Sequence, residues 1–382
     1  MTASSAPVRQ ASVRAHNLAL VLQTVANSTD PISRAAVAAA TGLTRATVSA
    51  LVDDLIAGSL LTEVDPAPRN GAGRPAAGLR TTPDGPAGLG LEINVDYRAA
   101  CVVDLTGAVR HRLVEPGDQR PVDTATALAG LARLARRARD LAEGEGLTLA
   151  GAALAVPGLV AADGIVRVAP NLGWQDVTVG DLVDGLPVTV DNEANLAALS
   201  ELGSGGLPPS FVYISGEIGI GAGIVLDGAL FRGVRGWSGE IGHIAIDPDG
   251  PACRCGARGC LEQYAGQEAM LRTAGVAAVT DLAGADLTVA GRALGTAIAT
   301  VVNLLDVDTV VLGGIYAPLL PRLRDAIAGE IERRVLTADW SPVTLRAATF
   351  GPDAAMRGAA GAVIRTVLDD PAGWLARSRA GR

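Results

Sequence analysis

Three of the four cysteines lie within eight residues of one another, in the stretch CRCGARGCLEQ that runs from Cys253 to Gln263. His243, one of three histidines in the chain, precedes this stretch by ten residues. The spacing H-x9-C-x-C-x4-C supplies three thiolates and one imidazole, which is one of the closed tetrahedral donor sets of structural zinc sites. Two glycines between the cysteines allow the tight turns that converging ligands need. The predicted ligands of a structural Zn2+, in a loop over residues 243–260, are His243, Cys253, Cys255 and Cys260.

The alternative for the three thiols is that they are free or redox-active. A disulfide framework is disfavoured because only four cysteines occur in 382 residues and the first residues lack the apolar stretch of a secretory signal. Apolar runs such as TAIATVVNLLDV are interrupted by Asn and Asp before they reach about 18 residues. We therefore expect a cytoplasmic protein without a membrane partner, in which Cys101 is a small buried hydrophobic residue.

Two glutamates lie close to the predicted metal ligands in the sequence. Glu240 precedes His243 by three residues, and Glu262 follows Cys260 by two. Carboxylates fixed beside a metal-anchored histidine can accept hydrogen bonds from neighbouring hydroxyl groups, which is what a sugar presents. Either glutamate alone is more often a solvated surface charge, but the pair on one metal-bound loop predicts sugar contact.

The N-terminal segment has the pattern of a helix-turn-helix. Apolar residues recur at helical spacing over residues 14–28, and a second helix follows Ser33. The tripeptide TGL at residues 41–43 is a turn of the length that joins the two helices of this motif, and Thr44 has the side chain of an N-cap for the next helix. In that helix the apolar side chains are confined to one face, so its N-terminal end is expected to face the DNA.

A wing is expected after this helix. The stretch LLTEVDPAPRNGAGRPAAGLR predicts a strand, a polar loop rich in glycine and proline, and a second strand. Residues 1–82 hold seven arginines against five acidic residues, in a chain whose formal net charge is −8. The alternative is a three-helix module with a solvated loop, because so small a positive excess offers few phosphate contacts. The side chains expected to contact double-stranded DNA are Thr44, Arg45, Thr47 and Ser49 in the helix and Arg69 and Arg74 in the wing.

The body of the chain changes character after about residue 86. Three strand-like stretches, an amphipathic helix over residues 122–143 and the apolar strand TLAGAALAV are followed by a second copy of the same rhythm, which begins at SFVYISG. With 49% hydrophobic residues, the chain can bury a large core. The pattern predicts an α/β protein, with a winged helix-turn-helix domain at residues 1–82 and a two-lobed domain at residues 86–382 that binds its ligand between the lobes.

Taken together, these motifs resemble the ROK family of transcriptional repressors and sugar kinases. The resemblance covers nearly the whole chain and is carried by GWSGEIGHIAIDPDGPACRCGARGCLEQYAG, with further similarity in VVLGGIYAP and FGPDAAMRGAAGA. It implies a two-lobed, actin-like ATPase body in which one ring nitrogen of His243 binds zinc and the other binds the sugar. The sugar ligands that it implies are Asn171, Asn192, Glu193, Glu240, His243 and Glu262.

The family contains both kinases and repressors, so the residues that phosphoryl transfer needs must decide between them. Family kinases resemble one another in an Asp-x-Gly-Gly-Thr pattern at the first phosphate hairpin, where this chain has EINVD from Glu92 to Asp96. No glycine remains there to admit a phosphate, and the acidic side chains would repel it. Glu217 replaces the usual hydroxyl residue of the second hairpin, and Glu193 replaces the aspartate base. We therefore expect no ATP, no kinase activity and no catalytic residue, with Glu193 marking the vestigial base position.

The sequence thus predicts a sugar-responsive DNA-binding regulator, and specifically a repressor. We expect it to bind a small sugar or phosphosugar effector between the lobes, and to bind a palindromic operator as a homodimer or a dimer of dimers. Two alternatives remain open. One is an ATP-dependent sugar kinase with an appended DNA-binding domain, and the other is a ligand-independent DNA-binding protein that keeps the body only as a dimerisation scaffold.

Overall fold

The N-terminal elements form a winged helix. The structure is a computed structural model that describes residues 10–65, 77–180 and 182–380. Three strands form one antiparallel sheet in the order β1-β3-β2, and three helices precede or flank it. These elements are α1 Gln10–Ala26, β1 Ile32–Ser33, α2 Arg34–Thr41, α3 Arg45–Ala57, β2 Leu61–Val64 and β3 Gly78–Thr81.

Local signals fix the ends of the two central helices. Ser33 caps α2 by accepting a hydrogen bond from the amide of Ala36, and Gly42 ends it with a left-handed φ of 71°. Thr44 then caps α3 by accepting a hydrogen bond from the amide of Thr47. The predicted helix-turn-helix and its flanking strands are therefore confirmed, whereas the expected wing contacts Arg69 and Arg74 lie outside the described residues.

The first lobe of the body is built on a five-stranded sheet in the order β11-β7-β4-β5-β6. The first three of its strands in the chain form an antiparallel meander, and the other two are added parallel to β4. Three short strands form a separate small sheet. The elements are β4 Pro86–Ile93, β5 Tyr97–Asp104, β6 Val109–Pro116, α4 Thr124–Gly144, β7 Thr148–Val156, β8 Leu159–Val160, β9 Val166–Ala169, β10 Trp174–Val177 and β11 Val188–Asn192.

The second lobe repeats this arrangement. Its sheet has the order β14-β13-β12-β15-β16, again an antiparallel meander with two further strands added in parallel. The predicted duplication of the body is thus confirmed. The elements are α5 Glu193–Gly203, β12 Phe211–Gly216, β13 Ile220–Leu226, β14 Ala229–Leu230, α6 Glu262–Ala265, α7 Gln267–Ala274, α8 Thr288–Leu305, β15 Thr309–Gly314, α9 Tyr316–Arg334, β16 Thr344–Ala347, α10 Ala354–Asp369 and α11 Pro371–Ala380.

Helix α8 is long and apolar enough, by length and composition alone, to cross a membrane. In this fold it is a core helix of the second lobe, where Ala293, Leu294 and Ala297 are buried. A helix that is apolar on most of its surface is what the centre of a lobe requires.

Helix α10 lies unusually close to its neighbours. A Cβ atom at Gly90 of β4 would lie 1.9 Å from the carbonyl oxygen of Met356, and one at Gly88 would lie 2.2 Å from that of Ala360. On the opposite side, a Cβ at Gly358 would lie 1.7 Å from the carbonyl oxygen of Leu196 in α5. Because only glycine permits such backbone approach, α10 is held tightly between the first sheet and α5.

The last two helices also complete the core of the winged helix. Ile364 and Val367 of α10 and Trp374 and Leu375 of α11 are buried in one cluster with the apolar side chains of α1, α3 and β3. The indole Nε1 of Trp374 donates a hydrogen bond of 3.2 Å to the carbonyl oxygen of Gly58, at the end of α3. The N-terminal unit therefore depends on the C-terminal end of the chain for part of its core.

Replacing Trp374 by Ala should destabilise the protein by about 3–5 kcal/mol, because it removes a large buried side chain between the winged helix and the body. Chemical unfolding followed by intrinsic fluorescence and circular dichroism measures this loss. The matched control is Trp340→Ala, since the side chain of Trp340 is 81% exposed whereas that of Trp374 is 7% exposed. Equal unfolding free energies for the two variants would contradict the role of Trp374 in the junction.

Candidate functional site

The four predicted metal ligands converge in the structure. One donor atom from each of His243, Cys253, Cys255 and Cys260 lies within 4.8 Å of the others. The Sγ atoms of Cys255 and Cys260 are 3.7 Å apart, and Nδ1 of His243 lies 3.9 Å from Sγ of Cys253. Tetrahedral zinc with Zn–S bonds of about 2.3 Å places its sulfur ligands roughly 3.8 Å apart. The arrangement therefore fits one metal ion, and the sulfur separation is far longer than the roughly 2.05 Å of a disulfide.

The backbone of the loop explains why these ligands converge. Gly259 has a φ of 65°, and a Cβ there would lie 1.6 Å from the carbonyl oxygen of Asp247. Gly256 also has a left-handed φ, of 94°. Two isolated bridges, between Ala245 and Cys260 and between Ala252 and Arg258, close the loop upon itself. The two glycines thus meet the expectation of tight turns between the cysteines.

His243 stands between the metal ligands and a carboxylate. Its Nδ1 atom faces Cys253, and its Nε2 atom lies 4.0 Å from Oε2 of Glu240. Partial burial raises the pKa of Glu240 above its ordinary value, while His243 opposes this shift. One nitrogen of the imidazole therefore faces the cysteine cluster, and the other faces the carboxylate of Glu240.

Glu262 and Asn171 line a cavity of about 230 Å³ next to this loop, together with Ile218, Arg254 and Arg272. A Cβ on Gly219 would lie 3.0 Å from Oε2 of Glu262 and 3.8 Å from Nδ2 of Asn171. A side chain at residue 219 would thus fill the space that these two polar groups share. The cavity offers a carboxylate acceptor and an amide, two groups that can form hydrogen bonds with hydroxyl groups.

Asn192 is the N-cap of α5, and its side chain forms hydrogen bonds with backbone groups. Its Oδ1 atom accepts hydrogen bonds from the amides of Ala194 and Asn195, and its Nδ2 atom donates one of 2.9 Å to the carbonyl oxygen of Gly158. The structure therefore gives Asn192 a capping role, which fixes the direction of the adjacent Glu193. Glu193 lines a different, smaller cavity from the one that contains Asn171 and Glu262.

Three carboxylates surround that smaller cavity. Glu92 of β4, Glu193 of α5 and Glu217 of the turn between β12 and β13 line a space of about 10 Å³. Asn94 donates a 2.7 Å hydrogen bond to Oε2 of Glu217, and Tyr97 donates one of 2.5 Å to Oε1 of Glu92. We call Glu92, Glu193 and Glu217 the carboxylate triad.

Burial governs the protonation of this triad. It raises the pKa of Glu92 to about 8, although the hydrogen bond from Tyr97 acts in the opposite direction. Burial, followed by the charges of Glu217 and Glu92, also raises the pKa of Glu193 well above its ordinary value. The sequence had identified Glu92, Glu193 and Glu217 separately, but Asp96, counted with them as a repelling charge, is exposed. Tyr97 was missed, because a tyrosine in a strand carries no signal for the partner that it meets in the fold.

The expected DNA contacts in the helix lie at its outer end. Thr44 and Arg45 are exposed, while Thr47 and Ser49 are half-buried. Thr44 and Thr47 share a hydrogen bond of 2.8 Å between their hydroxyl groups. Arg45 makes no ion pair with any residue in the described ranges.

Two further arginines of the winged helix, Arg14 and Arg34, form ion pairs with acidic side chains. Arg34 pairs with Asp53 at 2.7 Å and with Glu63 at 2.9 Å, and Arg14 pairs with Asp54. The two aspartates of α3 are thereby tied to arginines. This pairing leaves the positive charge of Arg45 available at the N-terminal end of the helix.

The stability of the protein should fall as the pH rises from about 5 to about 8. A Glu92 carboxyl that stays protonated up to about pH 8 in the folded state, but loses its proton near pH 4.5 when unfolded, stabilises the fold below this window. This contribution, on the order of 4 kcal/mol, is lost as pH rises through the folded pKa. Unfolding free energies of the wild type and Glu92→Gln at several pH values measure it. The variant should show a flatter dependence, and parallel curves would contradict the raised pKa.

Comparison with known proteins finds matches to the whole chain and to its body. The sequence profile of the ROK family matches residues 88–366. The xylose repressor of Bacillus spizizenii is 29% identical over 383 residues, which cover 94% of this chain and 98% of the repressor. Such a full-length match includes the winged helix as well as both lobes.

The solved structures also include one that matches nearly the whole chain and one that matches only its body. A ROK family transcriptional regulator, a homologue of the E. coli MLC protein, superposes with a TM-score of 0.79 at 28% identity and covers 96% of this chain and 98% of its own. A ROK family glucokinase from Streptomyces griseus, in complex with glucose and AMPPNP, superposes with a TM-score of 0.62 at 26% identity and covers 72% of this chain and 98% of its own. The regulator thus covers nearly the whole chain, whereas the kinase covers its C-terminal part, which is the body. The predicted winged helix and two-lobed, actin-like body are confirmed, and the chain belongs to the ROK family.

Proposed function

We propose that this protein is a DNA-binding transcriptional regulator, a repressor, that responds to a sugar bound between its lobes. The proposal is carried by one combination: an open recognition helix on a ROK body whose phosphate-binding position is lined by the carboxylate triad. The full-length correspondence to a xylose repressor supports it, because the matching kinase covers the body without the winged helix. A pentose such as xylose is accordingly the first effector to test.

The ion in the Cys3His cluster is proposed to be a structural Zn2+ held by His243, Cys253, Cys255 and Cys260. Bound zinc supplies folding energy to the loop and fixes the ring of His243. The loop residues then orient Nε2 of His243 and the carboxylate of Glu240 toward the cleft.

The sugar is proposed to lie against Asn171, Glu240, His243 and Glu262, with its far end directed toward Glu193. Glu262 and Glu240 can accept hydrogen bonds from vicinal hydroxyl groups, and the amide of Asn171 can donate one. Asn192 contributes by capping α5 and holding Glu193 in place, in addition to any contact that it makes with the sugar.

Kinase activity is proposed to be lost. A transferred phosphoryl group needs donors and cations to stabilise its negative charge, but the carboxylate triad offers additional negative charge or neutral carboxyl groups instead. The sheet turn that would admit a phosphate is filled by the side chains of Glu92 and Asn94, both of them buried. On this basis we propose that the protein does not bind ATP and has no catalytic residue.

The path from the sugar to the DNA is proposed to run through α5 and α10. Glu193 begins α5, Leu196 of α5 touches Gly358 of α10, and the far end of α10 completes the core of the winged helix at Val367. A sugar that favours one arrangement of the lobes would shift these helices and re-aim the winged helices of a dimer. A coupling of about 1–3 kcal/mol is typical of such linkage.

We propose that the protein is a homodimer, or a dimer of dimers, in the cytoplasm.

The zinc assignment predicts about one zinc per chain, released on unfolding and measured with a chromogenic chelator. Cys260→Ser should reduce bound zinc by at least about 10-fold and lower the melting temperature, because a closed site that loses one thiolate leaves the loop unclamped. Cys101→Ser serves as the matched control, since Cys101 is buried in β5 away from the cluster. Equal zinc content in all three proteins would rule out the site.

The regulatory function predicts specific binding to operator DNA that changes with sugar. Fluorescence anisotropy on the DNA upstream of the protein's own gene, titrated with a panel of pentoses and hexoses, measures affinity and response together. Arg45→Ala should weaken DNA binding by roughly 10-fold, as expected for the loss of a phosphate or base contact, without changing sugar affinity. Arg139→Ala, which removes an arginine paired with Glu143 on the body, is the control and should bind DNA normally.

Two results would redirect the proposal. Sugar-dependent release of ADP from ATP in a coupled assay would identify a kinase with an appended DNA-binding domain. DNA binding that no sugar changes, together with no thermal shift by any sugar, would identify a ligand-independent DNA-binding protein with the body as scaffold.

A further inference from the structure

The carboxylate triad brings together groups from both lobes. Glu92 belongs to β4 of the first lobe, whereas Glu217 belongs to the turn between β12 and β13 of the second. Glu193, at the start of α5, lines the same cavity. Asn94, directly after β4, donates a hydrogen bond of 2.7 Å to Oε2 of Glu217. This hydrogen bond joins the two lobes, so the lobes can separate here only if it breaks.

The triad is buried and has little free space around it. Glu92 is 2% exposed, and its Oε2 atom has no hydrogen-bond partner among the described residues. The cavity that the three side chains line has a volume of about 10 Å³, which is room for about one water molecule. Within residues 10–65, 77–180 and 182–380, none of the three carboxyl groups forms an ion pair. An ionised carboxylate here therefore lacks both its hydration and a cation to replace it.

The charges that act on the triad are themselves acidic. Glu92 and Glu193 are each affected by Glu217, and Glu217 is affected by Asp96. Burial and these charges raise the pKa of all three carboxyl groups, that of Glu92 to about 8. The backbone of Met356 in α10 favours the ionised form of Glu92, but less strongly than burial opposes it. The closed arrangement therefore favours protonated carboxyl groups.

The surrounding elements supply no cation that offsets these charges. Their titratable groups are Tyr97 and Cys101 of β5, Tyr213 of β12, Glu201 of α5, Asp353 just before α10 and Arg357 within it. Burial keeps the two tyrosines and the thiol neutral by raising their pKa values. Glu201 accepts hydrogen bonds from two backbone amides, and Asp353 pairs with Arg112. Arg357 lies over the ring of Phe350, 4.2 Å from its centroid.

We propose that Glu92, Glu193 and Glu217 form a proton-dependent latch between the lobes, which holds the cleft closed while the carboxyl groups are protonated and opens it when they ionise. A protonated carboxyl group can donate a hydrogen bond to a neighbouring oxygen such as Oε2 of Glu92. Ionised carboxylates only accept hydrogen bonds and repel one another, and separation of the lobes brings water to them. The latch acts in the protein without its effector and does not depend on the proposed sugar response.

The direction of the pH dependence follows from the raised pKa of Glu92. In the open, hydrated form this carboxyl group loses its proton near its ordinary value of 4.5, whereas in the closed form it keeps the proton up to about pH 8. The closed form is therefore fully favoured below the lower value and loses this advantage as the pH rises through the upper one. Between about pH 6 and about pH 8.5, Glu92 alone shifts the equilibrium toward the open form on the order of 100-fold.

Hydrogen exchange followed by mass spectrometry tests the latch on the full-length, sugar-free protein at these two pH values. Protection of the amides in residues 90–95 and 215–219, normalised to the intrinsic exchange rate at each pH, should be at least about 10-fold lower at the higher pH. Small-angle X-ray scattering should show a larger radius of gyration there. Far-UV circular dichroism should stay unchanged, which separates opening of the cleft from unfolding.

The isosteric double variant Glu92→Gln/Glu217→Gln cannot ionise at these two positions and should lose most of the pH dependence of protection and of radius. Glu92→Gln alone should give a smaller change in the same direction. Circular dichroism confirms that both variants are folded. Glu332→Gln, on the exposed surface of α9, is the matched control and should open as the wild type does.

Three results would overturn the latch. The first is equal protection and an equal radius at both pH values in the wild type. The second is an unchanged pH response in the folded double variant. The third is loss of protection throughout the chain together with loss of the circular dichroism signal, which would show unfolding in place of an opening between the lobes.

Discussion

The close packing of α10 is the constraint on which the rest of the molecule depends. Its backbone touches β4 at Gly88 and Gly90 and touches α5 at its own Gly358, with no space for a Cβ at any of the three. Interiors packed at this density transmit displacement, because they have few voids to absorb it. Any movement of α5 or of the first sheet must therefore move α10 as well.

The two ends of α10 face different parts of the protein. Ala354 and Ala355 at its start line the cavity of the carboxylate triad, while Ile364 and Val367 near its end lie in the core of the winged helix. Together with Trp374 of α11, this helix shares a hydrophobic core with the winged helix. The DNA-binding unit is therefore packed against the body and is not a separate domain on a linker. In the proposed function, this packing is the route by which a ligand in the cleft acts on the recognition helix, and the route requires no flexible segment.

The cleft itself combines two chemically distinct halves. On one side lie His243, Glu240 and Glu262, in and beside the loop of the Cys3His cluster, which we propose as ligands of the sugar hydroxyl groups. On the other side, the position that serves phosphate in the family's kinases holds carboxyl groups whose pKa values are raised by burial. In the function proposed above, the first half binds the sugar and the second half no longer supports phosphoryl transfer, so that the energy of binding is available to shift conformation.

The sequence by itself determined the features that depend on local spacing and residue type. The four residues of the Cys3His cluster, the caps of α2 and α3 and the repeated strand pattern of the lobes can each be recognised in short stretches of sequence. Capping, the spacing of near-neighbour ligands and strand alternation are local effects. Glu92, Glu193 and Glu217 could each be singled out as departures from the kinase pattern.

Only the tertiary structure decided how distant residues meet. The carboxylate triad brings Glu92 together with Glu193 and Glu217, which both lie more than a hundred positions later in the chain, and the raised pKa values arise from burial that no single stretch encodes. The side chain of Asn192 caps α5, and the last two helices supply part of the core of the winged helix. Both contacts depend on which residues the fold brings within reach of each other. The local sequence pattern identifies the candidate functional residues, and the tertiary structure determines which other residues they contact.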